Sequence, residues 1–511
     1  VDALLHPSQV AARRPDHPAY VMAATGVAVS YAQLEARSNR LAHWLRGAGL
    51  RGGDTIAIVA ENHEWLFPLV WAAQRTGLYF VLASTGLSAG DLAYIVNDSG
   101  AALLVGTDRT WSLASEAEPL IERAPVHQLE AMIADSAALP ETPVADESCG
   151  IDMLYSSGTT GRPKGVRREI APGLPIGTRA ALDHLASTVY GFSGDTRYLS
   201  PAPLYHAAPL RWSMAIQRLG GTIHVMERFD AESALALIER HRIDASQWVP
   251  THFVRMLQLP DDVRAGFDVS SMRVALHAAA PCPVPIKQAM IEWWGPVLYE
   301  YYAGTETNGL TSINSNEWLA HPGSVGRALV GEVKICDEAG EPLPIGEIGD
   351  IFFANGPAFS YHNDPEKTAK ATNRHGWTTL GDVGRLDAEG YLYLTDRRNF
   401  MIISGGVNIY PQEIENLLIT HPAVRDVAVI GAPDPEMGER VIAVVEPREG
   451  VATDAALAQD IIAFARAGLG HIKAPRAVDF METLPRQPTG KLYKRLLRDR
   501  YWAAQPVEGQ A

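Results

Sequence analysis

The chain has 511 residues, 47% of them hydrophobic and 20% charged, with a formal net charge of -15. That composition suits a folded chain with a large core. The acidic excess speaks against a general nucleic-acid binder, which needs a basic face. The usual prior at this length is ~3 domains, although large α/β units exceed it. Cys149, Cys282 and Cys336 lie far apart without metal-ligand spacing and are expected as small buried apolar residues. So few cysteines fit a reducing, cytoplasmic compartment. The longest apolar stretches, such as residues 65–73, are too short to span a bilayer, and no stretch reads as a secretory signal.

In chain order, residues 31–49 predict an amphipathic helix with Leu34, Leu41 and Leu45 on one side and glycines ending it. Residues 55–60, 78–83 and 101–105 read as strands and 63–75 as a helix. This is the βα rhythm of a mainly parallel sheet covered by helices. Residues 134–148, rich in Ala, Pro and acids, read as a surface connection, and 151–155 as one buried strand. Strands follow at 222–226, 245–249, 273–277 and 297–302, with helices at 231–241 and around 286–294. Residues 331–353 suggest a small β unit with Gly and Pro turns. Past Asp396 the pattern changes. Pro411 stands where a first helical turn begins, strands are expected at 424–430, 441–445 and 477–481, and a helix at 455–467. That is a compact α+β unit of ~100 residues. The expected class is α/β: a large N-terminal domain of mixed, mainly parallel sheets covered by helices, plus a small β unit, then a small α+β C-terminal domain.

The most chemically loaded stretch is Tyr155-Ser156-Ser157-Gly158-Thr159-Thr160-Gly161-Arg162-Pro163-Lys164-Gly165-Val166. Glycines let a backbone approach a ligand. Main-chain N–H groups with Ser and Thr hydroxyls form a concave donor surface for phosphate oxygens, and Lys164 adds a full positive charge. The physical reading is a triphosphate cradle; the bland one is a solvated turn. A Walker A loop is excluded, because Pro163 and Gly165 flank the lysine where that motif needs Gly and Ser or Thr. Downstream, Tyr299 to Glu306 ends a predicted strand, and ligands of open α/β sheets bind beyond such ends. Glu306 could hold Mg²⁺, which takes oxygen ligands and few protein carboxylates. A surface acid at a strand end is the alternative there.

The 155–166 stretch closely resembles the phosphate-binding signature of the adenylate-forming superfamily: acyl-CoA synthetases, peptide-synthetase adenylation domains and firefly luciferase. Matching segments follow in the expected order over nearly the whole chain, most like a bacterial acyl-CoA synthetase. The resemblance implies that Ser156, Ser157, Gly158, Thr159, Thr160 and Lys164 cradle phosphates. It puts Thr305 and Glu306, with Gly304, at the phosphates and the metal, and Thr159 as a second metal contact. Glu300, Tyr301 and Tyr302, with Ala278, Ala279 and Ala280, are implied near adenine. Asp382 and Arg397 match ribose-binding motifs. Ser404-Gly405-Gly406 resembles a segment lining the pantetheine tunnel, with a plain β-turn as the equal alternative. Pro485 to Lys491 matches the catalytic-lysine motif, so Lys491 is the expected catalytic cation. The following Lys494, Arg495, Arg498 and Arg500 are expected as a solvated face. Pro203-Leu204-Tyr205-His206 resembles the segment beside the acyl carboxylate, with His206 a gate to the thiol tunnel. Trp212, Trp248 and His277 are candidates for the acyl pocket.

The implied domains are 1–397, a hinge at 398–400 and a mobile C-terminal domain at 401–503. The hinge position holds Asn399, where the family usually has Asp or Lys; Asn tolerates unusual backbone angles. The implied activity is an ATP-dependent acid–CoA ligase using ATP, Mg²⁺ and coenzyme A on a small hydrophobic carboxylic acid, without nucleic acid or membrane segment. A homodimer is expected from the family alone. The alternatives are adenylation followed by loading of a carrier protein, and a nucleotide-binding regulator without turnover.

Overall fold

The computed structural model describes residues 6–156, 163–178, 180–397, 400–486 and 492–503. They form two compact units: Val1–Trp248 with Arg255–His277 and Ala358–Thr368, and Val249–Val254 with Ala278–Pro357 and Ala369–Ala511.

The first unit carries strands β1 (Pro18–Met22), β2 (Ala28–Ser30), β3 (Thr55–Val59), β4 (Tyr79–Ala83), β5 (Ala101–Gly106), β6 (Val126–Gln128), β7 (Ile151–Asp152), β8 (Leu154–Ser156), β9 (Lys164–Val166), β10 (Arg197–Ser200), β11 (Thr222–Val225), β12 (Ala245–Trp248) and β13 (Val274–His277). One parallel sheet runs β6-β5-β3-β4-β7. In the other, β13, β12, β10, β11 and β1 pair in parallel and β2 folds back on β1. Every residue of β3 and β4 is buried, as parallel strands covered on both faces require. The helix Tyr31–Gly47 opens with a Ser30–Gln33 capping box and buries Leu34, Leu41 and Leu45, the predicted face. The helix Leu66–Arg75 is buried all round. Its last residue, Arg75, is sealed from solvent against Glu35 at 2.8 Å and Glu147 at 3.3 Å. The helices Ala89–Asp98 and Ala207–Leu219 carried no expectation from sequence.

The expected single strand at 151–155 is two. β7 joins the parallel sheet beside β4, whereas β8 leaves it to form an antiparallel hairpin with β9. Asp152 is the physical reason: its carboxylate is held by Arg211 at 2.8 Å and Arg168 at 3.5 Å. Burial alone would raise its pKa, but the two guanidiniums outweigh burial and hold it below the usual range. A charge tied this way ends the apolar run.

The second unit carries β14 (Leu298–Ala303), β15 (Leu310–Asn314), β16 (Arg327–Val330), β17 (Glu332–Cys336), β18 (Gly349–Ala354), β19 (Thr378–Leu386), β20 (Leu392–Arg397), β21 (Ile402–Ser404), β22 (Val407–Ile409), β23 (Val424–Asp434), β24 (Gly438–Pro447) and β25 (Ala477–Phe480). β14-β15-β16 and β17-β18-β19-β20 are antiparallel. The expected small β unit therefore extends to Arg397. The long β23–β24 hairpin alternates cleanly. Val427, Val429, Val441 and Val445 pack under Ile414, Leu418 and Ile461, while Ala428, Ile430, Ile442 and Val444 pack against Leu484 and Leu497. The helix Pro411–Leu418 has its proline in the first turn, as predicted. On Lys494–Ala503 the expected solvated face is corrected: Lys494 is buried on Glu415 at 2.8 Å, and Arg498, half-buried, reaches Glu439 at 3.0 Å. Arg495 and Arg500 are exposed. Cys149 and Cys336 are buried as expected, and Cys282 is half-buried.

His224, buried in β11 at 4.3 Å from the His241 ring, has its pKa lowered to about 3, by burial first and then by His241 and Arg197. Between pH 7 and pH 5 the unfolded imidazole gains a proton and the folded one does not. Stability therefore falls with pH, by about 2 kcal/mol from this residue alone. In His224→Gln the difference in unfolding free energy between pH 7 and pH 5, read by urea denaturation, should shrink by that amount. An unchanged difference would contradict the assignment.

Candidate active site

Lys164 opens β9, and β8 lies across from it with Ser156 opposite Lys164 and Tyr155 opposite Gly165. The lysine thus stands at the start of the returning strand. The Lys164 ammonium lies over the Tyr361 ring, 5.1 Å from its centroid, a cation–π distance. Ser157, Gly158, Thr159 and Thr160 lie outside the described residues, as do Asn399 and Lys491.

His206 is the N-cap of the helix Ala207–Leu219, with extended backbone and no capping hydrogen bond from its side chain. Its ring packs on Tyr205 at 4.5 Å, and its Nε2 is buried with no hydrogen-bond partner among the described residues. Burial lowers its pKa to about 3, so the imidazole is neutral at physiological pH. A neutral ring with an unsatisfied nitrogen at the positive end of a helix suits a polar, electron-rich ligand group. Trp212, Trp248 and His277 sit in packed core, at most 2% exposed; Trp212 meets Tyr190 and Phe192 edge-on.

In the second unit the motif at the end of β14 forms one constellation. Tyr302 Oη donates to Asp382 Oδ2 at 2.7 Å, and Thr305 Oγ1 donates to Glu306 Oε2 at 3.0 Å. Asp382 is the ladder partner of Arg397 between β19 and β20, so both proposed ribose residues stand side by side. A Cβ at 304 would lie 2.7 Å from Glu306 Oε2 and from the Leu380 side chain, so a larger residue there would displace the carboxylate. Thr307 closes the turn with positive φ, 57°, and its N–H bonds the Gly304 carbonyl at 3.1 Å. In the alanine segment Ala278 is buried, Ala280 half-buried, and Ala279 exposed with φ 77°, a conformation an L residue adopts rarely.

Glu300 turns inward. Lys287, on the helix Val284–Trp294, donates to its Oε2 at 2.6 Å, with the lysine sealed from solvent and the carboxylate nearly so. Glu300 therefore anchors β14 from behind, while Tyr301 is buried and Tyr302 half-buried on the same strand. Lys287 escaped the sequence reading; its one signal is that it shares a helical face with Met290, Ile291 and Trp294.

Gly405 and Gly406 are the two loop residues of the β21–β22 hairpin, both with positive φ, 56° and 79°, as a type I′ turn requires. The β-turn reading is thus realised. Exposed Ile403, Val407 and Met437 flank it. The base of the Lys491 loop is tied within the C-terminal part: Arg486 bridges to Leu492, forks onto Asp426, and Tyr493 N–H bonds Pro485 O at 2.8 Å.

No group of three or more His, Cys, Asp or Glu that could hold a metal occurs among the described residues. Glu306, buried and beside the Thr305 hydroxyl, fits the single-carboxylate demand of a Mg²⁺ that completes its shell with phosphate oxygens and water. No helix of the described residues is long and apolar enough to cross a membrane.

Residues 8–359 match the family model for the AMP-binding enzyme, and residues 413–491 match the model for the AMP-binding enzyme C-terminal domain. The chain is 35% identical to a feruloyl-CoA synthase of Amycolatopsis sp over 93% of its own length and 94% of the relative's. It is 33% identical to a long-chain-fatty-acid–CoA ligase of Mycobacterium tuberculosis, covering 96% and 97%. The solved o-succinylbenzoate CoA synthetase of Bacillus subtilis, in complex with its acyl-adenylate intermediate, superposes with a TM-score of 0.80 at 27% identity over 100% of this chain and 99% of that one. The chain belongs to the AMP-binding enzyme family, the adenylate-forming superfamily.

Proposed function

We propose that the chain is an AMP-forming acid–CoA ligase that activates a hydrophobic carboxylic acid. The observation that carries this reading is full-length similarity to CoA ligases, with a C-terminal family match that runs to Lys491 itself. The two curated relatives reported above are named for feruloyl-CoA and for long-chain fatty acids, which supports an aryl or fatty substrate.

In the first half-reaction the substrate carboxylate oxygen attacks the α-phosphorus of ATP and pyrophosphate leaves. Lys164 and the hydroxyls of the 156–160 turn hold the β- and γ-phosphates. Asp382, steadied by Tyr302, accepts the ribose hydroxyls, and Arg397 braces the same sugar. A neutral His206 at its helix N-terminus orients the acid without competing for its charge. Lys491 lies against the reacting oxygens, where a preorganised cation is worth most in a water-poor site. Mg²⁺, held by Glu306 with Thr159 and the phosphates, would draw negative charge off the departing pyrophosphate. In the second half-reaction the C-terminal domain, 401–503, turns about 398–400. Lys491 withdraws, the Gly405–Gly406 turn comes in, and the CoA sulfur attacks the acyl carbonyl as AMP leaves. Glycine at both turn positions lets a narrow pantetheine chain pass close to the backbone. A cytoplasmic location and a homodimer complete the reading; neither enters the mechanism.

Lys491→Ala should lower the rate of acyl-adenylate formation by about 10²-fold or more, in line with the loss of one preorganised transition-state contact. Thioester formation from supplied acyl-adenylate should survive. Pyrophosphate release and acyl-CoA formation, assayed separately, check this; equal loss of both steps would refute the role. Tyr302→Phe should weaken ATP and AMP binding alike, by roughly ten- to a hundredfold, the worth of a hydrogen bond to a charged group, because the ribose carboxylate loses its brace. Calorimetric titration of both nucleotides reads it.

A further inference from the structure

The phosphate hairpin is held from outside by residues far away in the chain. Tyr155 on β8 sends its hydroxyl to Asp98 Oδ2 at 2.6 Å, at the C-terminal end of the helix Ala89–Asp98. The main-chain carbonyl of the same Asp98 accepts from His362 Nε2 at 3.0 Å and from Asn363 Nδ2 at 3.1 Å. The His362 N–H then donates to Gly165 O on β9 at 2.8 Å. Since Tyr155 and Gly165 are ladder partners, the contacts close a ring: β8, Asp98, His362, β9. The adjoining residues follow suit. Tyr361 bridges Val166 and lies under the Lys164 ammonium. Asn363 is one of the few described non-glycine residues with positive φ, 54°, a strained backbone that lets its amide reach Asp98 beside His362. Gly165 leaves the path open: a Cβ there would meet the Tyr155 ring and hydroxyl oxygen at 3.0 Å and Met153 Cε at 3.1 Å.

We propose that Tyr155, Asp98, His362 and Asn363 form a clamp that positions Lys164 and the stem of the phosphate turn for the β- and γ-phosphates of ATP. The inference rests on the ligase reading only in taking Lys164 as a phosphate contact. None of the four residues need touch the nucleotide; they are positioning residues. Their chemistry suits the task. Burial and the Asp98 carboxylate hold the Tyr155 phenol above its ordinary range, so the hydroxyl remains a donor at any working pH. His362 ties β9 by its backbone and Asp98 by its ring, so a side-chain change there cuts one tie and leaves the other.

The clamp's ties run to the hairpin proposed for the outer phosphates, whereas the nucleoside is assigned to the β14 constellation. It should therefore separate ATP from AMP. The experiment is calorimetric titration of the full-length chain with ATP and, separately, with AMP, for wild type, Tyr155→Phe and the double variant His362→Ala/Asn363→Gly. Glycine at 363 keeps the positive φ, and phenylalanine at 155 keeps the ring, so both variants retain their packing. The expected result is a Kd for ATP raised about tenfold in each, with the Kd for AMP within twofold of wild type. His362→Gln, whose amide can still donate to the Asp98 carbonyl, should recover most of the ATP affinity in the Asn363 background. Equal weakening of ATP and AMP, or no weakening of either, overturns the clamp. The ligase reading fails separately, if wild type binds ATP but releases no pyrophosphate with any aryl or fatty acid.

Discussion

Bringing a carboxylate to a triphosphate means pushing negative charge toward negative charge. Two unit charges 4 Å apart repel by about 4 kcal/mol at an effective dielectric constant of 20, and ATP brings several. The chain itself is anionic, at -15, so its overall field does not help. Screening confines surface charge to about 8 Å at physiological salt, which leaves the outcome to cations fixed beside the reacting atoms. The scheme supplies few: Lys164 on a short hairpin, Arg397 at the end of β20, and Lys491 in a loop whose base is tied by Arg486 and Asp426. Few cations must be held accurately, and the rest of the structure serves that accuracy.

The devices that hold them are mostly long-range, which explains what could be read from sequence and what could not. The phosphate turn, the threonine–glutamate pair, Asp382 and the type I′ glycine turn are local words; their residues lie within a dozen positions of one another. Helix Tyr31–Gly47 and the β23–β24 hairpin announced themselves by periodicity. The partners of those words did not. Asp98 and His362 are 264 residues apart, and neither belongs to an apolar period or a motif. Lys287 reads as a surface lysine until Glu300 is seen against it. The strand break at Met153 was hidden for a similar reason: residues 151–155 look continuous unless one knows that Arg168 and Arg211 come back to Asp152.

Polar groups in the two units fall into two kinds. Arg75 with Glu35, Lys287 with Glu300 and Lys494 with Glu415 are pairs withdrawn from solvent. Pairs of this kind contribute little net stability over an apolar substitute, but breaking one partner leaves an uncompensated charge. Their value is in fixing which way a strand or helix faces. His206 is the opposite case: buried, neutral, and without a hydrogen-bond partner among the described residues. In the proposed scheme that nitrogen meets the incoming acid.

Backbone strain follows the same division. Positive φ in a non-glycine residue costs of order 1–3 kcal/mol and persists only where neighbours over-determine it. Arg242 takes it simply as a helix C-cap. Asn355 takes it just after β18, and Ala279, Thr307 and Asn363 take it at the proposed adenine-side segment, behind the threonine–glutamate pair and in the hairpin clamp. Thr307 is tied by its N–H on the Gly304 carbonyl and Asn363 by its amide on Asp98. Relaxing any of them would ease the chain locally while shifting a group that the proposed chemistry needs within a few tenths of an ångström. The proposed nucleotide site would draw on that strain to hold its groups in place before the ligand arrives.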